Sequence, residues 1–272
     1  MSTNVQVFTL LAVACYCFAA FRVATVASHP ETGPTSNKSR LLIPGTLAVL
    51  LHAVALYYAI LDSAGVNLSV TNAASLVAWL VALLLLLATV TKPLENLAVV
   101  LLPLAALALT VQWLLPGIRL ISADTPLGLQ VHISLSVIAY SVFTIAAIQA
   151  LMLAQSERQL RTKRALIPLN VLPPLQTMED LLFQLIWLGF FLLTLGLVSG
   201  FMFVENLFNQ HLTHKTILSC LSWLVFGVLL WGRHRSGWRG RIAVGYTLGG
   251  FALLLLAFFG TKIVLELILH RI

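Results

Sequence analysis

The sequence predicts an all-α integral membrane protein, a bundle of about eight transmembrane helices with both termini outside. Three observations carry that expectation. Only 9% of the 272 residues are charged while 60% are hydrophobic, and the mean hydropathy is +0.98. A soluble domain has roughly 25% charged residues, so this chain lacks the polar surface such a domain needs. The apolar residues form long runs rather than stripes, and a run of about 20 matches a hydrocarbon core of about 30 Å. Lipid offers no hydrogen bonds to a bare backbone, so such runs must be helical; they are too long and uniform for barrel strands. Thirdly, the basic residues crowd into alternate loops.

Taken in order, the spans fall at residues 5–27, 41–61, 73–91, 96–115, 129–154, 181–204, 215–232 and 242–268. The first is read as a retained helix, not a signal peptide, because its first positive charge is Arg22 and its apolar run is long. Pro30, Gly33 and Pro34 follow it. A polar link from Asp62 to Asn72 separates the second and third spans. Lys92-Pro93 turns the chain into the fourth, Pro116-Gly117 ends that span, and Pro173-Pro174 precedes the sixth. The seventh and eighth are parted by the basic stretch from Arg233 to Arg241. No repeat and no long linker divides the chain, so residues 1–272 are read as one transmembrane domain.

Lys38 and Arg40 follow span one and Lys92 follows span three. Arg158, Arg161, Lys163 and Arg164 follow span five, and Arg233, Arg235, Arg239 and Arg241 follow span seven. The alternate loops hold only Arg119 and Lys215. Basic loops stay cytoplasmic, which puts both termini outside. The net charge of +7 is then a topology signal with some attraction to anionic lipid, and requires no nucleic acid partner. Cys15, Cys17 and Cys220 form no Cys-x-x-Cys pair and are read as small packing residues.

Polar groups within a bilayer are costly and mark bundle interiors or sites, so the seven histidines are the place to look for chemistry. His29 and His234 fall in cytoplasmic loops and His52 in the middle of span two. Under the charge topology His132, His211, His214 and His270 all gather at the outer face, though distant in sequence. Two imidazoles complete a six-coordinate haem iron. Histidines at helix ends also simply meet water with their polar tips, and spacing alone leaves both readings open. His132, Ser136 and Tyr140 recur every four residues along one helical face, as do Lys262, Glu266 and His270. Glu266 either orients the ring of His270 or forms a buried ion pair with Lys262.

Three further segments point the same way. They are His132-Ile-Ser-Leu-Ser-Val-Ile-Ala-Tyr140, then Leu172-Pro-Pro-Leu-Gln-Thr-Met-Glu179 with Gly189-Phe190, Leu193-Thr194-Leu195-Gly196 and Gly200, and lastly Lys215-Thr-Ile-Leu-Ser219 with Ser222-Trp223-Leu-Val-Phe226, Arg233 and Gly237-Trp238-Arg239-Gly240. In that order, over residues 129–272, they resemble the CcsA-type cytochrome c assembly family, most closely its bacterial inner-membrane YpjD and HemX-like branch. The resemblance implies a multi-pass bacterial inner-membrane protein that handles haem, of the b type, at its outer face. His132 and His270 stand where that family places outer-face histidines, so they are the implied axial ligands, with His211 or His214 as an alternative second ligand.

The departures are as informative. The family's Trp-rich segment ending in Trp-Asp-Pro-Lys-Glu is replaced by a shorter stretch, Phe201 to Lys215, of which only Lys215 matches that ending. Its later in-membrane histidine is Trp231 here. Without flat indoles to present the porphyrin, a complete cytochrome c synthetase is not expected. The expectation is a non-enzymatic accessory or haem relay, with cytochrome c assembly components as partners. The alternative is a non-catalytic partner that stabilises another inner-membrane protein, docking through its basic loops, with the haem site lost. His52, alone in the membrane, is read as a bundle hydrogen-bonder. A transporter fits less well, since broken helices do not recur in matching halves.

Overall fold

The computed structural model describes residues 3–27, 34–62, 65–122, 125–162, 173–203 and 210–260. Among the described residues lie eight helices long and apolar enough to cross a membrane. They are α1 (Thr3–Ala27), α2 (Pro34–Ile60), α3 (Val70–Thr91), α4 (Ala98–Leu114), α5 (Leu127–Thr162), α6 (Leu175–Phe203), α7 (Gln210–Ser236) and α8 (Gly240–Leu255). A 3-10 turn, Glu95–Leu97, leads into α4, and a π turn, Leu256–Gly260, continues α8. The eight expected spans are thus found, with α5 longer at its C-terminal end and α7 longer at both ends than their apolar cores. Helix propagation outlasts the hydrophobic run because each added residue gains a backbone bond. The end of the eighth expected span, up to residue 268, lies outside the described residues.

Local chemistry sets several boundaries. Ser69 caps α3, its hydroxyl accepting the N–H of Asn72. Lys92 ends the same helix in extended backbone, as the residue before Pro93 must. Pro44 and Pro103 sit inside α2 and α4, where membrane packing tolerates them. Gly237 ends α7 at φ +65°, a left-handed position that favours glycine, with its N–H on the Arg233 carbonyl.

The polar link from Asp62 to Asn72 holds something the sequence did not announce. Strands β1 (Leu61–Asp62), β2 (Gly65–Asn67) and β3 (Leu120–Ser122) form a small antiparallel sheet in that order. Asn67 organises it. Its side-chain oxygen accepts the N–H of Arg119 and of Ser69, and its amide donates to the Gly117 carbonyl.

The chain forms two compact units. The first takes Met1–Asp124 and Gln159–Pro174, the second Thr125–Arg158 and Leu175–Ile272. In the first, Ala12, Ala55 and Leu109 pack together from α1, α2 and α4, and alanines let helix backbones approach closely. In the second, aromatic rings fill the interior. Phe143 stacks on Phe226 at 4.1 Å between centroids, and Phe190 stacks on Trp223 at 5.4 Å. Gly189 and Gly250 make room for them, since a Cβ there would lie 2.8 Å from the rings of Phe143 and Phe226.

Candidate functional site

His132 lies on the second turn of α5, half-buried. Its Nδ1 is 2.8 Å from the Gly196 carbonyl of α6 and 3.3 Å from the Ser199 hydroxyl. A carbonyl only accepts, so Nδ1 carries the proton and donates. In the neutral ring the lone pair then belongs to Nε2, which makes no hydrogen bond among the described residues. The small residues of α6 permit this approach. A Cβ on Gly200 would stand 2.9 Å from Cε1 of His132, and Ser199 donates its own hydroxyl to the Gly196 carbonyl. A histidine fixed through Nδ1–H to a carbonyl, with Nε2 open, is the usual preparation of a metal-binding imidazole. His132 therefore has the donor chemistry that a haem iron would take up.

The expected stripe on α5 divides its tasks. The Ser136 hydroxyl bonds back to the His132 carbonyl within the helix, while the Tyr140 hydroxyl donates to the Leu254 carbonyl of α8 at 2.9 Å. His214 is exposed on α7. His211 belongs to the first turn of α7, and its side chain lies outside the described residues. His270 lies outside them too, as do Lys262 and Glu266. Among the described residues no three His, Cys, Asp or Glu side chains converge as a metal cluster. Phe201 and Phe203, which follow the Gly200 that cradles His132, are half exposed.

His52 is fully buried in the first unit, hydrogen-bonded on both ring nitrogens: Nδ1 to the Tyr16 hydroxyl at 3.0 Å and Nε2 to the Ser75 hydroxyl at 2.9 Å. That is the bundle hydrogen-bonder the sequence suggested. Asn72 and Gln112 extend the neutral polar interior, the Gln112 amide donating to Asn72 at 3.0 Å and Asn72 donating to the carbonyls of Ala59 and Asn67.

The basic stretch after span seven is partly turned inward. Arg233 pairs with Glu179, lies 3.5 Å from Asp180, and covers the ring of Phe183 at 4.5 Å. Arg239 reaches Glu179 at 3.5 Å. Two of the arginines offered for docking therefore tie α6 to the α7–α8 turn, though Arg239, like Arg235 and Arg241, stays exposed. The sequence missed this clamp, although Met178-Glu179 and Gly237-Trp238-Arg239-Gly240 were both singled out as motifs.

Eight spans and this composition define the class: a multi-pass helical membrane protein. The family model described as cytochrome C assembly protein matches residues 41–269, and the chain belongs to that family. Inner membrane protein YpjD of Escherichia coli strain K12 is 35% identical over 233 residues, covering 84% of this chain and 87% of the relative. An uncharacterized 28.8 kDa protein of Azospirillum brasilense is 35% identical over 143 residues, 52% of this chain and 53% of its own. Cytochrome c biogenesis protein CcsA of Picosynechococcus is 30% identical over 108 residues, 39% of this chain and 32% of its own. No solved structure matches. Family membership connects the chain to cytochrome c biogenesis.

Proposed function

We propose that the chain is a haem-handling accessory or relay of cytochrome c biogenesis, with His132 as an axial ligand at the outer membrane face. The observation that carries the reading is the Nδ1–H bond from His132 to the Gly196 carbonyl, which leaves Nε2 open. His270 is the proposed second ligand, and His211 or His214 the alternative. A bound haem, of the b type, would supply an iron centre to ligate and a group to pass on. This chain's own part is to orient one imidazole and to exclude lipid from it. The orientation proposed is the one set by charge, with both termini outside and the basic loops cytoplasmic. Cysteine labelling at positions 161 and 239 tests it, and outward labelling at either would move the histidines to the wrong face.

The reading is tested by an absorption spectrum of the purified protein, oxidised and reduced. Wild type should show a Soret band with low-spin features. His132→Ala should shift it towards five-coordinate high spin, and the double variant His132→Ala, His270→Ala should lose haem. If that double variant folds and keeps an unaltered Soret band, the ligand assignment is wrong. Colourless wild type from a haem-replete host would favour a partner protein that stabilises another inner-membrane protein.

A further inference from the structure

We infer that the first unit binds one water molecule between Ser75 of α3 and Gln112 of α4, completing a hydrogen-bonded chain across α1, α2, α3 and α4. A count of acceptors leads there first. The side-chain amide of Asn72 donates to two carbonyls, those of Ala59 and Asn67. A carbonyl only accepts, so the Asn72 side-chain oxygen is the atom turned to Gln112. That oxygen accepts too, so the Gln112 atom 3.0 Å from it is Nε2. The atom left over, Gln112 Oε1, is therefore an acceptor, and among the described residues nothing donates to it. Gln112 is 2% exposed, so bulk solvent does not reach it. A bare acceptor in such surroundings is costly.

A count of donors completes the argument. His52 lies between the hydroxyls of Tyr16 and Ser75, at 3.0 and 2.9 Å. Neutral imidazole has one N–H, and the two hydroxyls bring one O–H each. Three protons meet two contacts, so one hydroxyl keeps a proton that His52 does not take. Both hydroxyls are fully buried, and neither has another partner among the described residues. Ser75 stands one turn from Asn72 on α3, the residue that holds the Gln112 amide, whereas Tyr16 is on α1. The surplus proton is therefore assigned to Ser75: the Tyr16 hydroxyl donates to Nδ1, and Nε2–H donates to the Ser75 oxygen. Among the described residues no direct hydrogen bond joins Ser75 to Gln112. A water that accepts from Ser75 and donates to Gln112 Oε1 satisfies both at once. The groups around it, Tyr16, Ser75, Asn72 and Gln112 with neutral His52, carry no charge, which suits water and not an ion.

Solid-state NMR of the full chain in lipid bilayers tests the inference. In the wild type, magnetisation from water should reach both the Gln112 side-chain amide and the Ser75 β-protons. The ring nitrogens of His52 should show Nε2 protonated and Nδ1 bare. Gln112→Met keeps the side-chain length and removes the acceptor. Transfer from water to Ser75 should then fall about fivefold, the effect of losing one hydrogen bond of ordinary strength, with the His52 tautomer unchanged. Wild type without transfer at Gln112 overturns the inference, and so does transfer to Ser75 that Gln112→Met leaves at full strength. A proton on Nδ1 of His52 also overturns it, because the surplus proton would then sit on Tyr16 and Ser75 would have none to give. Should Gln112→Met not fold, the two wild-type readings decide the matter by themselves.

Discussion

His52 in the first unit and His132 in the second are held in opposite ways. His52 engages both ring nitrogens with hydroxyls, those of Tyr16 and Ser75. His132 engages one nitrogen with a backbone carbonyl, and among the described residues nothing bonds the other. In the second unit Glu179, Asp180, Arg233 and Arg239 also form ionic contacts. A satisfied imidazole in lipid is a packing element, because no lone pair remains to offer a ligand. A half-satisfied one is held ready, since its fixed proton determines which nitrogen is offered. The two histidines thus differ both in burial and in the partners of their ring nitrogens.

The comparison can be broken most severely at the charged clamp. Glu179→Ala removes the partner of Arg233, whose side chain is only 22% exposed, and should cost about 2–3 kcal/mol. Thermal unfolding in detergent should show it, and Glu179→Gln should recover part of the loss by still accepting a hydrogen bond. An unchanged melting temperature would mean the clamp adds nothing to the second unit.

Next comes His52→Leu. It strands the buried hydroxyls of Tyr16 and Ser75 and should cost about 1–2 kcal/mol. The spectrum of any bound haem should stay as in wild type. A changed Soret band would mean that the first unit also holds the cofactor, and the contrast between the two histidines would collapse.

Gly200→Ala should cost about 1 kcal/mol through overpacking, because its Cβ meets Cε1 of His132 at 2.9 Å. Unlike His52→Leu, it should also displace the ring and shift the haem spectrum. A shift without loss of haem would sharpen the assignment of His132.

The smallest effect is expected at Ser199→Ala, about 0.5 kcal/mol, since the Gly196 carbonyl still holds Nδ1. A midpoint potential moved by a few tens of millivolts at most would fit that minor role. Complete loss of low-spin haem would make Ser199, not the carbonyl, the group that orients the ring.

Residues 5–27 and 73–91 were legible as helices because a bilayer demands length and apolarity, and both are properties of a continuous stretch. The sheet was not legible. Its strands are two or three residues long, and β2 meets β3 through partners such as Val66 and Ile121, far apart in the chain. His132 was legible as a candidate because loop charge puts it at the outer face and the family resemblance places a histidine there. Its partner was not, because Gly196 acts through a carbonyl that every residue possesses. Arg233 read as one of several docking cations, and only folding set it against Glu179.

The sequence by itself determined that this chain crosses the membrane about eight times, and it nominated His132 and His270, with His211 or His214, for attention. Hydrophobic length, loop charge and residue type are one-dimensional quantities, and lipid reads them directly. The tertiary structure decided which nitrogen of which histidine stays open. That choice depends on α6 bringing a bare carbonyl within 2.8 Å of Nδ1 on α5, across 64 positions of sequence. Small residues at positions 196, 199 and 200 permit so close an approach; helix packing alone sets the distance and angle that turn permission into a hydrogen bond.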